Sequence, residues 1–157
     1  MKYSPDMVLK SAIMKMKWFH YLHLAGSHHS FHDALRERVW LKSGAYLIIQ
    51  PTEALTVIDV NTGKNIAKKE MQENFLKVNI EAAEEIARQL RLRNISGIVI
   101  VDFINLEAKS AESELLNVFG AALKKDPVPT QIVEMTKLGL VEVTRKKIKK
   151  SLRESLS

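Results

Sequence analysis

The sequence lacks cysteine, and it lacks an apolar run of transmembrane length. None of its 157 residues is cysteine, which excludes disulfides, cysteine-based zinc sites and thiol redox chemistry. The apolar stretch at residues 7–26 is interrupted by lysine and histidine, whereas a transmembrane helix needs roughly 20 apolar residues. We therefore expect no membrane span, and the composition is compatible with a reducing, cytoplasmic location.

Excess positive charge is confined to one segment near the C-terminus. The formal net charge is +6, from 24 lysines and arginines against 18 aspartates and glutamates. Residues 145–153, the basic segment, contain six basic residues and no acidic residue, so the rest of the chain holds 18 of each sign. Such a segment suits contact with a phosphate backbone, and it suits a solvated terminal helix as well.

The pattern of apolar residues predicts one α/β domain. The runs AYLIIQ and LTVIDV, separated by PTEA, predict two antiparallel strands. A three-to-four spacing from Glu70 to Arg93 predicts an amphipathic helix. The run IVIVDF predicts a buried strand, a helix is expected from Ala111 to Lys124, and TQIVEM and GLVEVTR predict two strands before a helical basic segment. This order predicts a mixed β-sheet flanked by helices.

The first forty residues give a mixed signal. Apolar residues recur at helical spacing from Asp6 to Leu24, which predicts a helix, and Ser30 is placed to cap a possible short helix after it. Ser43 and Gly44 then predict a turn ahead of the first strand.

Aspartate stands at or near the end of two predicted strands. VIDVN contains Asp59 and VIVDF contains Asp102, each after a β-branched run. Ligands bind open α/β sheets outside the carboxyl ends of the strands, so the two carboxylates converge there if the strands are neighbours. Carboxylates that close repel unless they share a cation or a proton. Mg²⁺ accepts one or two protein carboxylates and keeps water and phosphate oxygens as its other ligands.

The plainer interpretation is that each aspartate is a turn residue or a helix N-cap, and for either one alone it is the better interpretation. The two together, with Asn61 beside Asp59, leave the metal site and the turn equally open. The sequence has no glycine-rich phosphate loop, nucleophile elbow or cysteine-based catalytic arrangement. Among enzyme classes, this leaves metal-assisted hydrolysis of a phosphodiester.

Four segments resemble the catalytic core of the ribonuclease E/G family: VWLKSGAYLII, TEALTVIDVNTGK, NIEAAEEIARQLRLRNISGIVIVDFI and TKLGLVEVTRKK. The resemblance implies a DNase I-like α/β subdomain that cuts single-stranded RNA endonucleolytically, in RNA processing or decay, with Mg²⁺ held by two aspartates. We accordingly divide the chain into an N-terminal helical or irregular segment, residues 1–38, and a ribonuclease E/G-like catalytic core with a basic C-terminal helix, residues 39–157.

The resemblance also implies roles for individual residues. The two metal-binding aspartates of the family fall on Asp59 and Asp102, which become the expected Mg²⁺ ligands and catalytic residues. The asparagine that orients the scissile phosphate falls on Asn61. Basic residues expected to contact RNA near the cut fall on Lys64, Lys137 and Arg145. Lys64 as a turn residue, and Arg145 as one charge of the basic segment, are the plainer alternatives.

Departures from the family pattern define a second hypothesis. Full members carry an OB-fold RNA-binding domain and a region that senses the RNA 5′ monophosphate, and residues 1–38 are too short to contain these. Full members also share zinc through a cysteine pair, so any homo-oligomer of this chain needs another contact. The segment after the second helix, usually basic, reads Pro127, Val128 and Pro129; loss of charge beside the scissile phosphate would weaken transition-state stabilisation. The alternative to an Mg²⁺-dependent endoribonuclease is therefore a truncated, non-catalytic remnant that binds RNA or protein.

Overall fold

A computed structural model describes residues 35–63 and 71–156 of the chain. Within them, six strands and three helices follow one another along the sequence. The strands are β1 (Arg38–Trp40), β2 (Tyr46–Pro51), β3 (Leu55–Asn61), β4 (Gly97–Asp102), β5 (Thr130–Met135) and β6 (Leu140–Arg145). The helices are α1 (Met71–Leu92), between β3 and β4, α2 (Lys109–Leu123), between β4 and β5, and α3 (Leu152–Leu156), after β6.

The strands of the described residues form one mixed sheet in the order β1-β2-β3-β4-β6-β5. β3 and β4 are parallel, and the other neighbours are antiparallel. A parallel pair needs a long crossover, and α1 supplies it. The predicted α/β fold with a mixed sheet and flanking helices is therefore confirmed, including the antiparallel pairing of AYLIIQ with LTVIDV.

Alternating burial gives the sheet a covered face and an open face. In β3 and β6 every second residue is buried, which matches the period-2 geometry of a strand. The buried strand residues form one cluster with buried residues of α1 and α2, and its largest fully buried members include Leu47, Ile58, Val99, Val143, Ile86 and Phe119. The alternate residues, half-buried or exposed, make up the open face.

The end of α1 fixes where β4 begins. Asn94 has a positive φ of 49°, and the Ile95 backbone N–H donates to the Leu90 carbonyl at 3.0 Å. A left-handed residue followed by this type of hydrogen bond is a common helix C-terminal cap, because it satisfies carbonyls that the helix leaves unpaired. The predicted helix from Glu70 to Arg93 is confirmed over Met71–Leu92, and Glu70 lies outside the described residues.

Two local expectations differ from the structure. The basic segment is not one helix, because Arg145 ends β6, residues 146–151 are irregular and only Leu152–Leu156 is helical. Like charges three and four residues apart, at Lys146, Lys149 and Lys150, oppose a helix there. The Lys146 backbone N–H instead donates to the Pro129 carbonyl at 3.0 Å. β1 was not predicted, since three residues are too few to show a strand period.

Some expectations fall on other parts of the chain. The helix from Asp6 to Leu24 and the capping position Ser30 lie outside the described residues, and the division at residues 38 and 39 stays a prediction. Among the helices that the structure describes, none combines the length and the apolar character that a membrane crossing requires.

Candidate active site

Asp59 and Asp102 stand side by side at the carboxyl ends of the parallel strands. They are direct partners in the ladder between β3 and β4, and neighbouring strands lie about 4.8 Å apart. Both project from the open face, since Ile58, Val60 and Val101 beside them in sequence are buried toward the helices. The convergence expected from the sequence is therefore present. We call this end of the sheet the aspartate end.

Asn61 fixes the orientation of Asp59. It lies two residues further along β3, on the same face, and its Nδ2 donates a hydrogen bond to Asp59 Oδ2 at 2.8 Å. Asp59 and Asn61 are half-buried, whereas Asp102 is exposed. The three side chains form an acidic, oxygen-rich surface with one carboxylate held in place and the other open to solvent.

The backbone after Asn61 is tightly packed. Gly63 has a φ of +69°, and a Cβ built on it would lie 2.7 Å from the Gly44 carbonyl oxygen and 3.6 Å from Cδ1 of Tyr46. Only glycine fits that close approach without strain. The glycine of IDVNTG therefore brings the chain after β3 against the loop between β1 and β2.

Asn79 of α1 performs a similar task for Asp102, and the sequence pattern did not predict it. Its Nδ2 donates to the Ile104 carbonyl at 2.7 Å, and its Oδ1 accepts from the Ile104 backbone N–H at 3.0 Å. The residue is fully buried. Two hydrogen bonds thus hold the chain that follows Asp102. The signal that could have revealed it was a polar side chain on the apolar face of a predicted amphipathic helix.

The three basic candidates have different positions. Lys64 lies outside the described residues. Lys137 is exposed in the turn between β5 and β6, and this turn lies at the aspartate end because Leu140, just after it, pairs with Asp102. Arg145 lies at the opposite end, where it pairs with Gly97. Arg145 is five residue steps along the antiparallel strand from Leu140, a distance of roughly 17 Å.

The expectation that Arg145 contacts RNA is not met by this geometry. Only 5% of Arg145 is exposed, and its Nε donates to Asp126 Oδ2 at 2.8 Å. Nη1 of Arg145 donates to Asn94 Oδ1 at 2.8 Å and to the Ile95 carbonyl at 3.1 Å. A guanidinium enclosed in this way ties the ends of β6, α1 and α2 together, and we assign Arg145 a structural role.

Asp126 is held in its charged form by that network. Burial by itself raises the pKa of the Asp126 carboxyl, but hydrogen bonds from Arg145, the Val128 backbone N–H and Thr130 outweigh burial and hold this pKa below its usual range. The segment Pro127, Val128 and Pro129 follows directly and leads into β5 where Thr130 pairs with Arg145. It therefore lies at the end of the sheet opposite Asp59 and Asp102, whereas we expected it at the end that carries the two aspartates.

The aspartate end suits a polymer better than an enclosed small molecule. A cavity of about 490 Å³ lies at the opposite end, lined among others by Arg93, Lys147 and Glu154, and it contains none of the aspartate-end residues. Beside Asp102 lies a depression of about 70 Å³, which Leu138 of the β5–β6 turn also lines.

The residues at the aspartate end fit Mg²⁺. Within residues 35–63 and 71–156, no group of three or more histidine, aspartate or glutamate side chains gathers as a metal site. Mg²⁺ does not need one, because it binds through one or two carboxylates and retains several waters. Asp59 and Asp102, in register on one face, offer that donor set.

Comparison with known proteins identifies the family. The model of the Ribonuclease E/G family matches residues 2–148. Ribonuclease E of Nostoc sp. is 53% identical over 115 residues, which cover 73% of this chain and 17% of that protein. Ribonuclease E of Synechocystis sp. is 50% identical over 122 residues, 78% of this chain and 18% of that protein.

Ribonuclease G of Haemophilus influenzae is 44% identical over 131 residues, which cover 83% of this chain and 27% of that protein. The chain therefore spans between about a sixth and a quarter of the length of these relatives. The family match also includes most of residues 1–38, which the four resembling segments do not reach. The chain belongs to the Ribonuclease E/G family.

Proposed function

We propose that this chain is an Mg²⁺-dependent endoribonuclease core that hydrolyses phosphodiester bonds of single-stranded RNA. The observation that carries the proposal is the in-register pair Asp59 and Asp102 on one face of the sheet, with Asn61 bonded to Asp59. The names of the relatives, Ribonuclease E and Ribonuclease G, support the ribonuclease class. RNA processing or decay in the cytoplasm is the cellular role that we attach to it.

The proposal assigns a task to each residue at the aspartate end. Asp59 and Asp102 would hold the ion, and Asn61 would keep the Asp59 carboxylate in position beside the scissile phosphate. A bound Mg²⁺ would supply Lewis-acid polarisation of the phosphoryl oxygen and a more acidic water. Lys137, at the same end, and Lys64, the residue after Gly63, would offset phosphate charge.

The direct test is cleavage of a fluorescent single-stranded RNA in the presence of Mg²⁺. Asp59→Asn and Asp102→Asn each remove one anionic ligand, and we expect each to lower kcat/KM by roughly 100-fold or more. Glu114→Gln is the matched control, because it neutralises an exposed carboxylate on α2. Equal cleavage by the wild-type chain and Asp59→Asn would contradict the assigned role.

The same assay separates this proposal from the non-catalytic alternative. Omission of Mg²⁺, or its removal with EDTA, should abolish cleavage while leaving single-stranded RNA bound. If the chain binds RNA with a steep salt dependence and never cleaves it with Mg²⁺, the remnant hypothesis is correct and the enzymatic proposal is wrong.

A further inference from the structure

Aromatic and guanidinium groups cluster on the open face next to the candidate active site. The aromatic patch consists of Arg38, Trp40 and Tyr46. The two ring centroids lie 5.1 Å apart at an interplanar angle of 59°. Cζ of Arg38 lies 4.6 Å from the Tyr46 centroid and 5.6 Å from the Trp40 centroid. These contacts fix the groups relative to one another, and Trp40 still keeps 62% of its surface exposed.

Strand register places the patch beside the site. Trp40 pairs with Tyr46, and Tyr46 pairs with Asn61, so the three residues form a row across β1, β2 and β3. Tyr46 is one strand from Asn61, and Trp40 is two strands away, roughly 10 Å. A Cβ built on Gly63, two residues after Asn61, would lie 3.6 Å from Cδ1 of Tyr46. Ordinary strand pairing therefore holds the patch at a fixed position relative to Asp59.

The chemistry of the patch matches one class of ligand. Proteins that bind single-stranded RNA stack its bases on aromatic rings and on arginine planes, and a cation over a ring adds attraction. Every base has a π face, so such a surface binds RNA with little dependence on its base sequence. A base paired in a duplex is already stacked on its neighbours and is not available to Trp40. A patch of this kind therefore favours single strands.

We infer that the aromatic patch stacks a nucleobase of single-stranded RNA that flanks the phosphodiester to be cut. This inference rests on the proposed function, because the phosphate is placed by Asp59, Asn61 and Asp102. The patch adds what those residues lack. Asp59, Asn61 and Asp102 contact phosphate and metal, whereas Trp40 and Tyr46 bind a base. The RNA strand is therefore held at two points, which sets its register over the site.

Fluorescence of Trp40 tests the inference without changing the patch. The chain has two tryptophans, so Trp18→Phe leaves Trp40 as the only one. This variant is titrated with oligouridine in EDTA, and in parallel with an abasic oligonucleotide of the same length. We expect oligouridine to quench Trp40 and the abasic strand to leave its emission nearly unchanged, because only bases stack.

Substitutions give the second measurement. Trp40→Ala should weaken oligouridine binding on the order of 10-fold and raise KM for cleavage more than it lowers kcat, since a flanking base is held equally before and during reaction. Trp40→Phe should retain most of the affinity. Ile98→Ala is the control, because Ile98 is 49% exposed on the same face but lies near the opposite end of β4.

The outcomes separate the inference from the proposed function. Equal quenching by oligouridine and the abasic strand, or an unchanged KM in Trp40→Ala, overturns the inference even if the chain cleaves RNA. So does a Trp40 that acrylamide cannot quench in the free protein, because protein would then cover the patch. Base-dependent quenching in a chain that never cleaves RNA supports base stacking while the enzymatic proposal fails.

Discussion

Asp59 depends on a neighbour that is only two positions along its own strand. The hydrogen bond from Asn61 Nδ2, at 2.8 Å, restricts the carboxylate to one orientation before any ligand arrives. A carboxylate held in that way loses less freedom when it binds a cation. Groups that orient a metal ligand commonly matter almost as much as the ligand itself.

We therefore expect Asn61→Ala to weaken Mg²⁺ binding and so to raise the Mg²⁺ concentration that cleavage requires. The concentration of Mg²⁺ at half-maximal activity should rise, and activity at limiting Mg²⁺ should fall roughly 10-fold or more. An Mg²⁺ titration of the initial rate measures both. Asn117→Ala, at an exposed position of α2, should leave the titration unchanged. An unchanged midpoint in Asn61→Ala would remove Asn61 from this role.

Gly63 is a second residue whose task is visible only in three dimensions. Gly63→Ala should lower the free energy of unfolding by more than the roughly 1–2 kcal/mol of a left-handed alanine, because the added Cβ would lie 2.7 Å from the Gly44 carbonyl. Gly139→Ala is the matched control, since Gly139 has a φ of +83° and nothing within 4 Å of its Cβ position. Urea unfolding of both variants gives the comparison. Equal losses would mean that the contact with Gly44 is unimportant.

At the scale of elements, Arg145 and Asp126 join pieces that are distant in sequence. Their side chains are 4% and 2% exposed, and together with Asn94 they connect the end of β6 to the ends of α1 and α2. Removal of one member of a buried ion pair leaves the other charge uncompensated, which typically costs about 3–5 kcal/mol. The pair is therefore a junction of the fold.

Asp126→Asn should change how the free energy of unfolding depends on pH. The folded pKa of Asp126 is lowered, so the unfolded chain takes up the proton first as pH falls. The stabilisation is complete above the unfolded pKa of about 3.9 and is lost as pH falls through the lower folded value. At pH 7 the variant should be less stable by roughly 3–5 kcal/mol, and the difference from wild type should shrink in acid.

Urea unfolding at pH 7 and in acid measures that difference. Glu112→Gln is the control, because it breaks a pair with Lys109, whose side chain is 90% exposed, and exposed pairs contribute only about 0–1 kcal/mol. A deficit in Asp126→Asn that stays constant into acid would show that packing, not charge, accounts for its effect.

Local sequence patterns correctly predicted those strands and helices whose residues carry a clear pattern of their own. The β-rich runs that form β3 and β6 and the apolar stripe of α1 were visible in the sequence, and the pairing of β3 with β4 then brought Asp59 and Asp102 together. The rest depends on distant partners. Arg145 bonds to residues 19 and 51 positions away, so its burial has no signal in the basic segment. Asn79 bonds to a residue 25 positions away, and its only signal in the sequence was a polar side chain on the apolar face of a predicted helix.

At the scale of the whole molecule, positive charge lies at both ends of the sheet. Lys137 stands in the turn at the aspartate end, whereas the exposed lysines that follow β6 begin at the opposite end, roughly 17 Å away by strand length. RNA that reaches both ends would be contacted near the cut by Lys137 and far from it by the basic segment. The two contacts should then affect different kinetic constants.

The double substitution Lys146→Gln, Lys150→Gln removes two exposed charges at the far end. It should raise KM and leave kcat unchanged, because uniform binding does not alter the chemical step. It should also reduce the slope of log affinity against log salt by about 1 for each phosphate that the protein no longer neutralises. Lys137→Gln removes one charge at the aspartate end and should lower kcat, since in the proposed reaction a charge there would act on the reacting phosphate. Cleavage rates at several salt concentrations supply kcat, KM and the slope for all three proteins. A fall in kcat in the double variant would mean that the basic segment approaches the scissile phosphate, and the assignment of RNA binding to two separate ends of the sheet would then be wrong.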